Sequence, residues 1–190
     1  LSQLNAAHQT IFVVGPPGCG KSECIKTFAV AERARGKIIS VQNVFTKAVE
    51  SDELMGYLDP KTKEWKDGLL ASILRKFCVQ PPNINYDLKA KPIMKIVQLD
   101  GESEPAQMEL LGAVLNNDGS VVLGNNERIV IAETIRFLWE METVAHMSPA
   151  LLANVGVMVM TPKDVGWKLM LVQWLEHRPA SAPELLPAFC

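Results

Sequence analysis

Five β-forming residues, Thr10–Val14 (TIFVV), run straight into Gly-Pro-Pro-Gly-Cys-Gly-Lys-Ser, and from Lys21 the residues turn helix-favouring. Few junctions restrict a chain more. The apolar run reads as a buried strand halted by a turn cluster. From Lys21 to about Arg35, Ile25, Phe28 and Ala29 recur at helical spacing, and Gly36 supplies a C-terminal stop. Lys37–Val41 (KIISV) reads as a second strand. Strand, loop, helix and strand within about thirty residues make a βαβ unit, which dictates a parallel sheet and a right-handed crossover.

The loop itself satisfies G-x-x-x-x-G-K-[ST] with Gly15, Pro16, Pro17, Gly18, Cys19, Gly20, Lys21 and Ser22. Glycines allow the backbone to wrap closely, so that successive N–H groups converge on a phosphate. The following helix adds the partial positive charge of its N-terminus. Lys21 is expected to reach the β- and γ-phosphates, and the Ser22 hydroxyl to ligate magnesium. The expected ligand is ATP with Mg²⁺. Cys19 is a potential oxidation target, although a small loop-filling residue is its plainer role.

Further along, Ser51–Tyr57 reads as a short helix capped by Ser51, and DPKTKEW as a polar turn. A second helix starts at DGLLASILRKF with Asp67 as cap; Leu69, Leu70, Ile73, Leu74 and Phe77 form its apolar stripe. The stretch 80–92, rich in proline and asparagine, reads as a surface loop. Ile93–Leu99 is a third strand ending in Asp100, followed by a helix over Pro105–Asn117 and a stop at Asp118-Gly119. Val121–Ile131 alternates as a hairpin around GNNE. Ile135–Met141 and Val157–Met160 are the fourth and fifth strands, with a short helix from Ser148-Pro149 between them and another over Trp167–His177. This alternation predicts one doubly wound, three-layer α/β domain, with ligands at the carboxyl ends of its strands.

An apolar strand ending in an acid after the βαβ unit is the second nucleotide signature. Asp100 is therefore expected to hold the magnesium, directly or through water. In hydrolysing AAA+ proteins the next residue is usually Glu, which polarises the attacking water. Here it is Gly101, with Glu102 and Glu104 displaced along the chain. Glu102 is the candidate base if a turn at Gly101 brings it round, since a base works only within hydrogen-bond reach of the water.

The formal charge of −2 provides no basic field for nucleic acid. No apolar run reaches the roughly 20 residues that span a bilayer, and LSQLNAAHQT has no secretory pattern. Four cysteines without C-x-x-C spacing fit free thiols in a reducing compartment. The expectation is a soluble, intracellular domain. The three histidines are scattered, and Trp65, Trp139, Trp167 and Trp174 suit core and module-interface packing.

Several blocks carry a family resemblance: TKAVESDELMGYLDPKTKEWKDGLL, LDGESEPAQMELLGAVLNND, GNNERI, SPALLANVGVMVM and DVGWKLMLVQWLEHR. Together they resemble dynein heavy chains, more narrowly the second AAA+ module of the motor ring of axonemal types, over nearly the whole chain. The resemblance implies a P-loop AAA+ large subdomain over residues 1–178, with a five-stranded parallel sheet. It makes 179–190 the truncated start of a linker or of the small helical lid. It implies a six-module ring moving on microtubules, with neighbouring AAA+ modules, intermediate chains and light chains as partners. The cytoplasm and cytoskeleton, and the axoneme of a cilium or flagellum, are the implied location.

The second module of such rings holds ATP mainly as a structural and regulatory ligand, which agrees with Gly101. The usual sensor Asn at the end of the fourth strand is not found; Glu140 and Glu142 stand near that place. Asn126 of the GNNERI hairpin precedes the strand and reads as structural. Where this module usually reads S-R-A-G, supplying an arginine finger to its neighbour, this chain reads Ala153-Asn154-Val155-Gly156, with no Lys or Arg between Arg136 and Lys163. The competing readings are a hydrolysing ATPase with Glu102 as base, a small nucleotide kinase, and a scaffold that has lost its nucleotide. The kinase needs more arginines than Arg128, Arg136 and Arg178 in the second half. Intact Lys21, Ser22 and Asp100 argue against the scaffold.

Overall fold

A computed structural model describes residues 1–78, 93–101, 107, 111–112, 114, 119–145 and 147–176. In chain order the elements are α1 (Ser2–Ala7), β1 (Thr10–Val14), α2 (Lys21–Ala34), β2 (Ile38–Phe45), α3 (Ser51–Met55), β3 (Gly56–Leu58), β4 (Trp65–Asp67) and α4 (Leu69–Cys78). There follow β5 (Ile93–Asp100), β6 (Ser120–Val122), β7 (Arg128–Val130), β8 (Ile135–Met141), α5 (Pro149–Asn154), β9 (Gly156–Val159) and α6 (Pro162–Glu176).

The main sheet has five strands in the order β2-β5-β8-β1-β9, all parallel. The expected α/β fold with a five-stranded parallel sheet is therefore present. Strand β1 lies between β8 and β9, and all five of its residues are buried. That is the lot of an inner parallel strand covered on both faces, and it explains the unbroken apolar run.

Alternation along β1 divides the core in two. Ile11 and Val13 pack with Ile25, Phe28 and Ala29 of α2 and with Leu138, and Leu1 and Leu4 join them from the N-terminal segment. Phe12 and Val14 face the other way, into a larger cluster with Leu70, Leu74 and Phe77 of α4, Leu54 of α3 and Phe137 and Trp139 of β8. Phe12 meets Trp139 edge to face at 5.5 Å between ring centroids. These are the three layers.

Several local expectations need correction. The second strand runs to Phe45, not Val41; as an edge strand it is mostly exposed, with only Ile39 and Val44 buried, and lacks a continuous apolar signal. Helix α3 ends at Met55, and Glu50 is its N-cap in place of Ser51, with Glu53 completing a capping box. The polar stretch DPKTKEW does make a turn, and what the sequence did not reveal is that the turn joins a small antiparallel hairpin, β3–β4, with Trp65 already in β4. Asp67 does not cap α4: it lies in β4, and its carboxylate accepts from Trp65 Nε1 (2.8 Å) and Arg75 Nε (2.5 Å). Helix α6 is broken at Gly166, where φ is +67°, so an unexpected short helical segment from Pro162 precedes the one that begins at Trp167, where the sequence placed it.

Other features hold. The β6–β7 hairpin forms, with Asn126 at φ +63° in its turn, a structural role as expected. Ser148 caps α5 through Leu151 N–H, with Pro149 at the first helical position. Arg75 binds Asp67 and Glu127 together, tying one hairpin to the other. Trp139 is buried, whereas Trp167 and Trp174 are 68% and 57% exposed and belong to neither core cluster. The loop expected at 80–92 and most of the helix expected at Pro105–Asn117 lie outside the described residues, as does 179–190. Among the described residues no helix is long and apolar enough to cross a membrane.

Candidate functional site

The carboxyl ends of β1, β5 and β8 meet where the loop after β1 wraps into α2. Gly15 is fixed by both neighbouring strands. Its N–H donates to the Met141 carbonyl of β8 (3.1 Å), and Met160 N–H at the end of β9 donates to Val14 O (2.7 Å). A Cβ at Gly15 would stand 2.2 Å from Met160 O and 2.8 Å from Cys19 Sγ, so only glycine fits. Gly18 and Gly20 take φ of +77° and +89°, the left-handed backbone that gives the loop its curl. Gly20 is also the N-cap of α2 and brings no side-chain acceptor to it. The first-turn amides of a 14-residue helix are thus matched to a ligand's oxygens.

Pro16, Pro17 and Gly18 are exposed at the loop's outer turn, while Cys19 is buried beneath it. The Lys21 ammonium lies across the loop, donating to Gly15 O (2.6 Å) and Pro16 O (2.9 Å), with Cys19 Sγ at 3.9 Å. Cys19 therefore fills the loop's interior, which is its plainer role.

Ser22, in the first turn of α2, donates its hydroxyl proton to Glu140 Oε2 (2.6 Å). The other oxygen of Glu140 accepts from Gln98 Nε2 at 2.5 Å. Glu140 is in register with Asp100 on β5 and with Val13 on β1. Register partners on parallel strands present side chains to the same face, and Val13 identifies that face as the one covered by α2. Asp100, Glu140 and Ser22 are thus brought to one end of one face. The sequence reading expects Ser22 and Asp100 to hold magnesium; at the same end of the face stand two further residues, Glu140 and Gln98, that it left unassigned or did not name.

Gly101 follows at φ +103°. Its N–H donates to Glu140 O (3.1 Å), and its carbonyl accepts from Thr46 Oγ1 (3.1 Å) and Trp139 Nε1 (2.8 Å). The turn after Asp100 is held from both strands that flank β5. Glu102, the candidate base, lies outside the described residues.

The donor set suits magnesium with a triphosphate. A hydroxyl and carboxylates are hard oxygen ligands, and Mg²⁺ usually takes only one or two from the protein, completing its shell with phosphate and water. Among the described residues no three His, Cys, Asp or Glu side chains cluster. The glycine cradle, the uncapped helix start and one ammonium are the complementary parts for phosphate.

Residues 10–154 match the AAA domain (dynein-related subfamily). The chain is similar to dynein axonemal heavy chain 17 of Homo sapiens (32% identity over 179 residues) and to a ciliary dynein beta chain of Tripneustes gratilla (32% over 178). It is likewise similar to the dynein beta chain of the flagellar outer arm of Chlamydomonas reinhardtii (30% over 179 residues). Each match covers 94% of this chain but only 4% of the relative, so the chain spans a small part of the length of the heavy chains it matches. Strand order, loop and matched residues agree, and the chain belongs to the dynein-related subfamily of AAA domains.

Proposed function

We propose that this chain is an ATP-binding AAA+ module of a dynein heavy chain, the second of its motor ring, which holds Mg-ATP as a structural and allosteric ligand with little hydrolysis. The observation that carries the reading is the contrast on either side of Asp100. The binding parts are assembled: Gly15–Ser22 form the cradle, and Ser22 and Asp100 share one face of the sheet. The position that should polarise water is Gly101, held in a backbone that disfavours a side chain.

In this reading the loop amides and Lys21 bind the β- and γ-phosphates, with Lys21 exchanging its two carbonyl partners for phosphate oxygens. Ser22 and Asp100 hold Mg²⁺, which neutralises charge between the phosphates. In this reading residues 1–178 are the large, nucleotide-binding subdomain. The parent protein is a microtubule motor of a cilium or flagellar axoneme, a cytoskeletal location in keeping with the axonemal, ciliary and flagellar relatives. Its partners are the neighbouring modules, microtubules, and dynein intermediate and light chains. Asn154, exposed at the end of α5, occupies the arginine-finger position. A guanidinium there is worth about 10³ to 10⁵ in rate where it is used, so either another residue of the ring compensates or the neighbouring module is slowed.

The test is ATP binding and steady-state turnover for wild type, Lys21→Ala and Glu102→Gln. Replacing Lys21 removes charge-assisted bonds worth about 1.5–3 kcal/mol each, so each bond lost lowers affinity roughly 10–150-fold. Tight, Lys21-dependent binding with negligible turnover is the expected result. Turnover abolished by Glu102→Gln would make this a hydrolysing ATPase instead, and absence of binding in wild type would leave a scaffold.

A further inference from the structure

We infer that Glu140 is a positioning residue of the magnesium site, fixing the Ser22 hydroxyl so that its lone pairs face the metal. The inference rests on the proposed reading of Ser22 as a magnesium ligand. It concerns a residue that neither the phosphate-loop pattern nor the acid at the end of β5 would assign.

A serine hydroxyl has one proton and two lone pairs. To ligate a cation it must turn a lone pair inward and send its proton elsewhere, because a proton aimed at Mg²⁺ repels it. Here the proton has a fixed destination, Glu140 Oε2 at 2.6 Å. The carboxylate is itself immobilised: it is 2% exposed, and its second oxygen accepts from Gln98 Nε2 at 2.5 Å. Gln98 is buried as well, two residues before Asp100 on the same strand and therefore on the same face. The chain Gln98–Glu140–Ser22 thus ties β5 to β8 and β8 to the first turn of α2, across sequence separations of 42 and 118 residues.

Charge leads to the same role. A buried carboxylate is costly unless a cation or several donors compensate it. Among the described residues no Lys, Arg or His forms an ion pair with Glu140. It has neutral donors only, with Asp100 as its register neighbour. A divalent cation bound by Ser22 and Asp100 supplies the missing positive charge. Partners that orient a metal's ligands typically matter 10–100-fold in metal affinity.

The experiment measures ATP affinity of the full chain with excess Mg²⁺ and with EDTA, for wild type, Glu140→Ala and Glu140→Gln, with a thermal melt of each. For Glu140→Ala the Mg²⁺-ATP affinity is expected to fall roughly 10–100-fold, while metal-free ATP binding holds or tightens as a negative charge leaves. Glu140→Gln keeps an oxygen for the Ser22 proton and should fall between. If Glu140→Ala melts below the working temperature, Glu140→Gln carries the test alone. An equal loss with and without Mg²⁺ would make Glu140 a packing residue and overturn the inference, as would an unchanged ratio in the amide variant. Wild type failing to bind ATP under either condition would overturn the nucleotide reading itself, a different failure.

Discussion

If Gly101 is what separates this site from a hydrolysing one, putting Glu there should not simply restore hydrolysis. The residue sits at φ +103°, a region that residues with a Cβ rarely occupy. Three hydrogen bonds, to Glu140 O and from Thr46 and Trp139, prevent the turn from relaxing. A Cβ there would stand 3.3 Å from Lys47 Cγ and 3.5 Å from Thr46 Oγ1, so any side chain starts toward the turn after β2. Lys47 is exposed and can move aside, which leaves backbone strain as the main cost, about 1–3 kcal/mol. For a chain of this size that corresponds to a fall in Tm of roughly 2–12 °C. Gly101→Ala separates strain from chemistry. Both variants are expected to lose a similar amount in a thermal melt, and Gly101→Glu to show no more ATP turnover than wild type in a steady-state phosphate-release assay. Two results would refute the reasoning: Gly101→Ala melting with wild type, or Gly101→Glu gaining turnover that Lys21→Ala abolishes.

Gly15→Ala forces a Cβ to 2.2 Å from the Met160 carbonyl, a backbone atom that cannot step aside as a side chain would. Overpacking costs typically 1–3 kcal/mol; the upper end is expected here, with a lower Tm and ATP binding lost in the same titration used for Lys21→Ala. Glu32, buried at the far end of α2, is held below its usual value of about 4.5, chiefly by the hydrogen bond from Lys37 and further by Arg35. A depressed carboxyl stabilises the fold above its unfolded value and loses that contribution as pH falls through the folded one. Glu32→Gln should therefore melt lower than wild type at neutral pH and lose less on acidification below 4.5, checked by melts across that range.

What the sequence made legible, and what it did not, follows from how far each signal reaches along the chain. The cradle was readable because its parts are consecutive: a strand, glycines at fixed offsets and a helix start are all local requirements. Strands β1, β5 and β8 were readable because burial on both faces leaves an apolar run. Strand β2 was shortened because this edge strand continues past Val41 through exposed Gln42 and Asn43 with no apolar run, and the β3–β4 hairpin was missed because three-residue strands offer no period to detect. The α4 cap was misassigned because Asp67 is claimed by Arg75 and Trp65, contacts that helix-start rules do not include.

Glu140 is the clearest case of a residue whose role depends on sheet order rather than local pattern. Read along the chain, it is an acid near the end of an apolar strand, one of two, with Glu142, near the place where the resemblance led one to look for an asparagine. Only the order β5-β8-β1 puts it in register with both Asp100 and Val13, and only the turn of the phosphate loop brings Ser22 down to it. Parallel strands joined by long crossovers carry no sequence signal for which strand lies beside which. Trp139 makes the same point from the opposite face: an apparently generic core aromatic packs on Phe12 and donates its indole N–H to Gly101. One strand thus holds the Ser22 hydroxyl with Glu140 and the turn after Asp100 with Trp139, through consecutive residues on opposite faces. A shift of β8 by one residue would exchange those faces and lose both functions at once.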